Sequence, residues 1–420
     1  MTFEASSKNK SLEAERVGFE KKDGIRQNPE RLEAIRMAVT SEIDEEMRRL
    51  HEGEPFHNEA HPRNVFVGAN EILDIIERYC GVVNQEERLA TEAAAKGHDL
   101  VINYSIETDP GALNFGQRLR HRGFGEFMPP GVRSRPEVAE RDGVKKGNEE
   151  LSWLRVQEII LRHDPAGEVY TPAAMEEIRT AIGVTYPDVQ PFAVSEQYRT
   201  VRDPETGEVI ELTDYLGKGR EEKPSLFLFD QPLLKPESRF AAVAVAFGDL
   251  LYGGRCDAAR FRSRGNEEYR EVNSVISAIA EKDIEKIPPE WRRQLPAATI
   301  GEIAGGRQTL SSERKAAIAR SAMNWISSQV GFLLGQKIRF ESLLQNLYII
   351  NESRDPEGLR QELNEYYRNF DPNIVDATRR ADYIRQQFGD LADSAAFISS
   401  ADADRRFEKL LQEMGYPPVA

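Results

Sequence analysis

Disulfide chemistry is the first thing this sequence lacks. Cys80 and Cys256 are its only cysteines in 420 residues, and neither belongs to a CxxC pattern. They fit a reducing compartment and a core role, so a cytoplasmic location is the expectation. Long apolar runs are missing too. The most apolar stretch, "FAAVAVAFGDLLYGG" at 240–254, is too short for a membrane span and is broken by Asp249, so no membrane partner is expected. The N-terminal stretch has no apolar core of the signal-peptide kind. An excess of positive charge is absent as well. The formal charge is -15 and the pI near 5.2, which excludes an extended nucleic-acid surface but leaves room for a local basic pocket. Histidine is scarce: there are six, and two of them, His57 and His61, stand four positions apart in "PFHNEAHPRNV".

What is present reads mostly as helix. Apolar residues recur at helical spacing in 28–53 (Leu32, Ile35, Val39, Ile43, Met47, Leu50) and in 64–83 (Val65, Ala69, Ile72, Ile75, Ile76, Tyr79). Helices are also expected over 84–105, 149–164, 171–189, 238–260, 265–283, 311–350, 356–369 and 373–388. Two stretches differ. Residues 106–148 are rich in Gly, Pro and Arg and read as a loop insertion with short helical pieces. Residues 190–235 mix short β-like runs with turns, and a hairpin is expected near 200–230. No βαβ rhythm appears. The expectation is an all-α helical bundle with extra helices and a small β-hairpin insertion. It divides into a polar tail at 1–27, a main helical domain at 28–345 and a C-terminal helical appendage at 346–420. The appendage carries no expected catalytic residue. Its apolar stripes must bury against the core or form a homo-oligomer seam.

Four places invite a chemical reading. If one helix held both His57 and His61, the two would share a face. Pro62 instead favours a helix start near His61, with His57 just before it. That suits one buried ligand and one proton donor, and it also suits two polar residues at a cap. In "AAAKGHDLVINY", His98 and Asp99 lie between apolar runs, where burial without partners is costly. A divalent cation would compensate them, as would a place at the surface. Asp249 is a carboxylate inside the most apolar stretch, so it must be paired, protonated or bound to metal. In "GNEELSWL", Glu149 and Glu150 open a helix. Acids there complement the helix dipole, and a glutamate there could orient a histidine by accepting its second N–H.

Together these residues follow an order: H-x3-H, then HD 37 residues after His61, then Asp249, 150 residues after Asp99. In this order the chain resembles the HD-domain superfamily of metal-dependent phosphohydrolases. "FHNEAHPRNV" is similar to the "YHNxxHxxxV" signature of its cyclic-nucleotide phosphodiesterases. The resemblance covers about residues 30–260. It implies an HD-type catalytic helical domain in which His61, His98, Asp99 and Asp249 hold a divalent metal: Mg, Mn, Zn or Fe. One ion is expected and two are the alternative, with Asp99 then shared between them. It implies that His57 protonates the leaving oxygen and that Glu150, from the "NEEL" at 148–151, holds His57. The histidine that the family carries a few residues after HD has no counterpart in "HDLVINYS". The family's purine-gripping glutamine finds its match in Gln329.

A basic cluster completes the sequence picture. Arg118, Arg120 and Arg122 stand beside Phe124 in "RLRHRGFGEFMPPG", with Arg133 and Arg135 following. Arginine forks bind phosphate and aromatics stack on bases, so the segment reads as a substrate grip, or else as a solvated charged loop. The expected activity is hydrolysis of a nucleotide-like phosphate ester by metal-activated water. The alternatives are an inactive HD-type nucleotide-binding or regulatory scaffold and an HD-type di-iron oxygenase.

Overall fold

The computed structural model describes residues 29–51, 56–81, 83–100, 105–106, 132–133, 138–141, 144–146, 148–185, 188–218, 224–231, 233–287, 292, 295, 297–398 and 400–418. It is predominantly helical, with small antiparallel sheets set between the helices. Helix α1 (Pro29–Leu50) buries Val39, Ile43 and Met47. Helix α2 (Ala60–Cys80) buries a stripe of Val65, Ala69, Ile72, Leu73 and Ile76. Helix α3 (Gln85–Gly97) starts from a capping box between Asn84 and Glu87. Its Ala90, Ala93, Ala94 and Ala95 are fully buried, and side chains this small let neighbouring helices come close.

Helix α4 (Asn148–His163) lies along α1, tied by Arg155 to Glu46 and by Arg162 and His163 to Glu42. Helix α5 (Pro172–Gly183) is capped by Thr171, whose side chain accepts from the Ala174 N–H. Helix α6 (Phe240–Leu250) is buried from Ala241 to Phe247 on every side, so it is the central helix, with α2, α3 and α5 packed round it. The contact with α2 is tight at Gly248. A Cβ there would stand 2.7 Å from the Val65 carbonyl oxygen and 3.0 Å from the Ala69 nitrogen, so only glycine fits. That close approach brings the next residue, Asp249, up to the N-terminal end of α2.

The β-structure exceeds the expected hairpin. Where helical pieces were expected within 106–148, the described residues form short antiparallel pairs: β1 (Ser105–Ile106) with β2 (Val132–Arg133), and β3 (Val138–Arg141) with β4 (Val144–Lys146). Strand β5 (Asp188–Ala193) joins a three-stranded antiparallel sheet. The hairpin of β6 (Thr200–Arg202) and β7 (Val209–Glu211) turns on Asp203, which accepts from Glu205 N and Thr206 Oγ1. Strands β8 (Gly217–Lys218) and β9 (Pro224–Asp230) complete the sheet in the order β5-β9-β8.

The single helix expected over 238–260 is broken into three. After α6 come a short turn, α7 (Tyr252–Arg255), and then α8 (Ala258–Val272). Asp257 restarts the chain as an N-cap, accepting from the Arg260 N–H. Beyond lie α9 (Ser274–Glu281), α10 (Ala297–Gly305), α11 (Ser312–Asn346), α12 (Tyr348–Asn351), α13 (Pro356–Tyr366), α14 (Phe370–Phe388) and α15 (Ala401–Glu413). Helix α11, 35 residues and ~50 Å long, is a spine. Its C-terminal turns (Phe340, Leu343, Leu344) join the core of α2, α3 and α6. Its middle (Val330, Leu333, Leu334) packs under the sheet, and its first half (Ala316 to Ile326) joins a core with α9, α14 and α15. Leu359, Leu363, Tyr367 and Phe370, all beyond residue 346, lie in the same core as α6. Among the described residues no helix is long and apolar enough to cross a membrane.

Candidate metal centre

Three helix ends meet on one side of α6. His61 is in the first turn of α2, where its N–H bonds the Asn58 carbonyl at 3.1 Å. His98 is the C-terminal cap of α3, and Asp99 follows it. Asp249 is on the last turn of α6. His61, His98 and Asp99 each present a ligand atom, and these atoms lie within 4.8 Å of one another. Asp99 Oδ2 is 3.0 Å from His98 Nε2 and 3.1 Å from His61 Nε2. Asp249 Oδ1 stands 3.7 and 3.5 Å from the same two nitrogens.

The residues fit a bound cation. His98 Nε2 is buried and makes no hydrogen bond of good geometry, because Nδ1 bonds the Ala95 carbonyl at 2.9 Å and fixes the ring. A lone imidazole nitrogen facing carboxylates from inside the protein is what a metal ligand looks like before the metal arrives. The C-terminal end of α3 adds its partial negative charge. Burial by itself would push the His98 imidazole down, but Asp99 and Asp249 more than reverse this and hold it well above its ordinary range. Burial would raise Asp99, yet His98, His61 and His57 pull it well below the usual carboxylate range. Asp249 follows the same pattern: burial raises it, and His61 and His98 bring it to about 2. The site thus stores two anions that persist only beside positive charge. A divalent ion would supply that charge from a donor set of imidazole and carboxylate, which suits Zn, Fe, Mn or Mg.

His57 approaches from outside this group. Its Nε2 lies 4.0 Å from Asp99 Oδ2. Its Nδ1 bonds a carboxylate, and that carboxylate is Glu271, not Glu150. Glu271 sits at the end of α8, 214 residues away, with only 4% of its side chain exposed. It also accepts the backbone N–H groups of Phe56 and His57, at 2.8 and 3.0 Å. Burial pushes Glu271 up, but the His57 imidazole and these donors outweigh it and hold the carboxyl below its ordinary value. Glu150 stands instead beside Arg179 of α5, 3.6 Å away. The reason is geometric. The first turn of α4 faces α5, whereas α8 runs past the Phe56-His57 backbone.

His51 is a further member that sequence reading passed over. It is buried at the end of α1 and bonds the carbonyl of Leu100, next to Asp99, at 3.2 Å. Burial keeps its imidazole below the usual range. Gln329 is not brought to the group. It lies against Gly265 in a small cavity with Phe261, Trp325 and Arg380, on the face of α8 that turns toward α11. Arg118, Arg120, Arg122 and Phe124 lie outside the described residues. No model of a known protein family matches this chain, and neither does any curated protein or solved structure.

Proposed function

We propose that this protein is a metal-dependent phosphoric ester hydrolase acting on a nucleotide-like substrate. The observation that carries the reading is the pose of His57. One ring nitrogen is held by a buried carboxylate, and the other is turned toward the His61, His98 and Asp99 group. A proton donor fixed at the edge of a metal triad suits the cleavage of an ester whose leaving oxygen needs protonation. A divalent cation held by His61, His98, Asp99 and Asp249 would lower the pKa of water and neutralise a phosphoryl oxygen.

The chain's own groups do the rest. Glu271 keeps the His57 ring oriented and favours its cationic form, because an ionised carboxylate accepting from Nδ1 stabilises positive charge on the ring. The Nε2 proton of His57 then goes to the departing oxygen. Asp99 and Asp249 face the Nε2 atoms of both histidine ligands and would share the cation with them. The HD-type order of residues and the arginines at 118–122 support a nucleotide-like ester.

Metal analysis of the purified protein tests the reading first. Turnover follows on a panel of cyclic mononucleotides, cyclic dinucleotides, nucleoside mono- and triphosphates and p-nitrophenyl phosphodiesters. Stoichiometric metal with hydrolysis of at least one ester supports it. A protein that takes up no divalent ion and cleaves none of the panel would instead be the inactive scaffold.

A further inference from the structure

The two histidines of the triad are held by hydrogen bonds of opposite polarity. His98 donates from Nδ1 to the Ala95 carbonyl. Its Nε2, the atom turned to Asp99 and Asp249, is then the one that gives up a proton to a cation, because Nδ1 stays committed to the carbonyl. His61 is the reverse. Its Nδ1 lies 2.8 Å from Nη2 of Arg264. A guanidinium has donors only, so Nδ1 of His61 must accept. The proton of the neutral ring is then on Nε2, the atom that faces Asp99 and Asp249. An Nε2–H pairs well with those carboxylates, but it offers no lone pair to a cation in the same place.

Arg264 is built into this position. Only 11% of its side chain is exposed. Its guanidinium carbon lies 4.2 Å from the centre of the Phe56 ring, and Nη1 donates to the Phe56 carbonyl at 3.3 Å. The same Nη1 also donates to Glu267, one turn along α8, at 3.0 Å. The fork therefore has a foot on either side: the His61 ring on one, Glu267 on the other. Its hold on Phe56 ties the same residue to the backbone that leads into His57.

We infer that Arg264 gates the metal centre. It holds His61 in the Nε2–H tautomer paired with Asp99, and a cation binds through His61 only when the guanidinium withdraws onto Glu267. On binding, Nε2 gives one proton to solvent and Nδ1 takes one up. The inference rests on reading His61, His98 and Asp99 as a metal triad, and it adds to that reading a positioning residue that sets when the triad can be filled.

The experiment has two arms, and the first needs no metal. Long-range ¹H–¹⁵N correlation on the metal-free, histidine-labelled protein should show a bare Nδ1 and a protonated Nε2 for His61. In Arg264→Met the preference should be lost, and Arg264→Lys, which keeps a donor, should restore it. The second arm is calorimetric titration with zinc alone. Arg264→Met should bind about 10-fold tighter or better, the scale on which groups behind a ligand act. Glu267→Gln should bind more weakly, because the retreat position is weakened. A merely structural Arg264 would instead lower affinity in both variants. A wild-type His61 protonated at Nδ1 would overturn the inference, as would unchanged or weaker zinc binding in a natively folded Arg264→Met. If neither wild type nor Arg264→Met took up zinc, the metal centre and the gate would both fall. A bare Nδ1 in that same protein would still place the failure in the metal reading and not in the arginine's hold on His61.

Discussion

The two sides of the site are built differently. The side proposed to hold metal, the His61, His98 and Asp99 cluster with Asp249 beside it, hangs on the ends of α2, α3 and α6, three helices that share one closely packed core. The proton-donor side is a short backbone stretch, Phe56 to Asn58, fastened to α8 by Glu271 and Arg264. Helix packing fixes the first. A few long-range polar contacts fix the second. Loss of a group on the metal side should therefore abolish the function, whereas loss on the donor side should tune it.

His98→Ala is the strongest way to break that contrast. It removes a fully buried histidine proposed as a ligand and leaves the two carboxylates without the charge that steadies them. Metal content measured on the purified variant should fall close to zero, and hydrolysis should fall to background with it. A variant that kept both would place the ion elsewhere and dissolve the distinction between the two sides.

His57→Ala is expected next in size. General acid catalysis is worth about 10²–10⁴-fold, so the rate on an unactivated ester should drop on that order with metal content unchanged. A p-nitrophenyl ester, whose leaving group needs little protonation, should recover most of the loss. An equal loss on both substrates would make His57 a structural residue and not the acid. Glu271→Gln should cost less, about 10–100-fold, because the imidazole stays and only its orientation and charge suffer. That variant separates Glu271 from Glu150 directly. Glu150→Gln, beside Arg179, should leave the rate near wild type.

Sequence reading fared unequally on the two sides for the same physical reason. The convergence of His61, His98, Asp99 and Asp249 was legible because these residues announce themselves locally: an HD pair between apolar runs, an aspartate inside "AVAVAFGDLL", a histidine just ahead of Pro62. Each is an anomaly against a helical pattern, and helix ends brought into one core must meet. The helices themselves were legible for the same reason of period. Glu271 was not. In "EEYREVNSV" it is one acid among several on an amphipathic helix, and nothing in that spacing says it will meet His57. Arg264 and His51 are hidden in the same way. Glu150 fits the motif, but packing sends it to Arg179. The break of the 238–260 helix was readable in principle, since Gly253-Gly254 followed by Asp257 spells an end and a new cap.

Gly248→Ala probes the metal side through its packing alone. The added methyl would meet the backbone of α2, which cannot turn aside as a side chain could. Overpacking of this kind costs about 1–3 kcal/mol, read by denaturant unfolding of the metal-free protein. The two helices must part by a few tenths of an ångström or more, which carries Asp249 away from His61 and His98. Metal affinity should fall with stability. Falling stability with unchanged affinity would mean that Asp249 is not needed for the ion.

The smallest effect is the pH dependence of stability that Glu271 contributes. Its carboxyl is held below the ordinary value of 4.5 in the folded protein, with the His57 ring and two backbone N–H groups outweighing burial. A depressed pKa means that the unfolded chain takes up the proton first as pH falls. The stabilisation is therefore fully present above about 4.5, the unfolded value, and is lost as the pH drops through the lower, folded one. Asp99 and Asp249 are depressed in the same direction, so wild type should lose stability steeply in acid. Glu271→Gln cannot take part. Its unfolding free energy, measured in denaturant on metal-free protein from pH 7 to pH 3, should fall less steeply below about pH 4.5 than that of wild type. The aspartates' share of the slope should remain. Parallel curves for the two proteins would mean that Glu271 is not ionised against His57 in the native state, and the donor side would then lose the charge that is proposed to keep its histidine cationic.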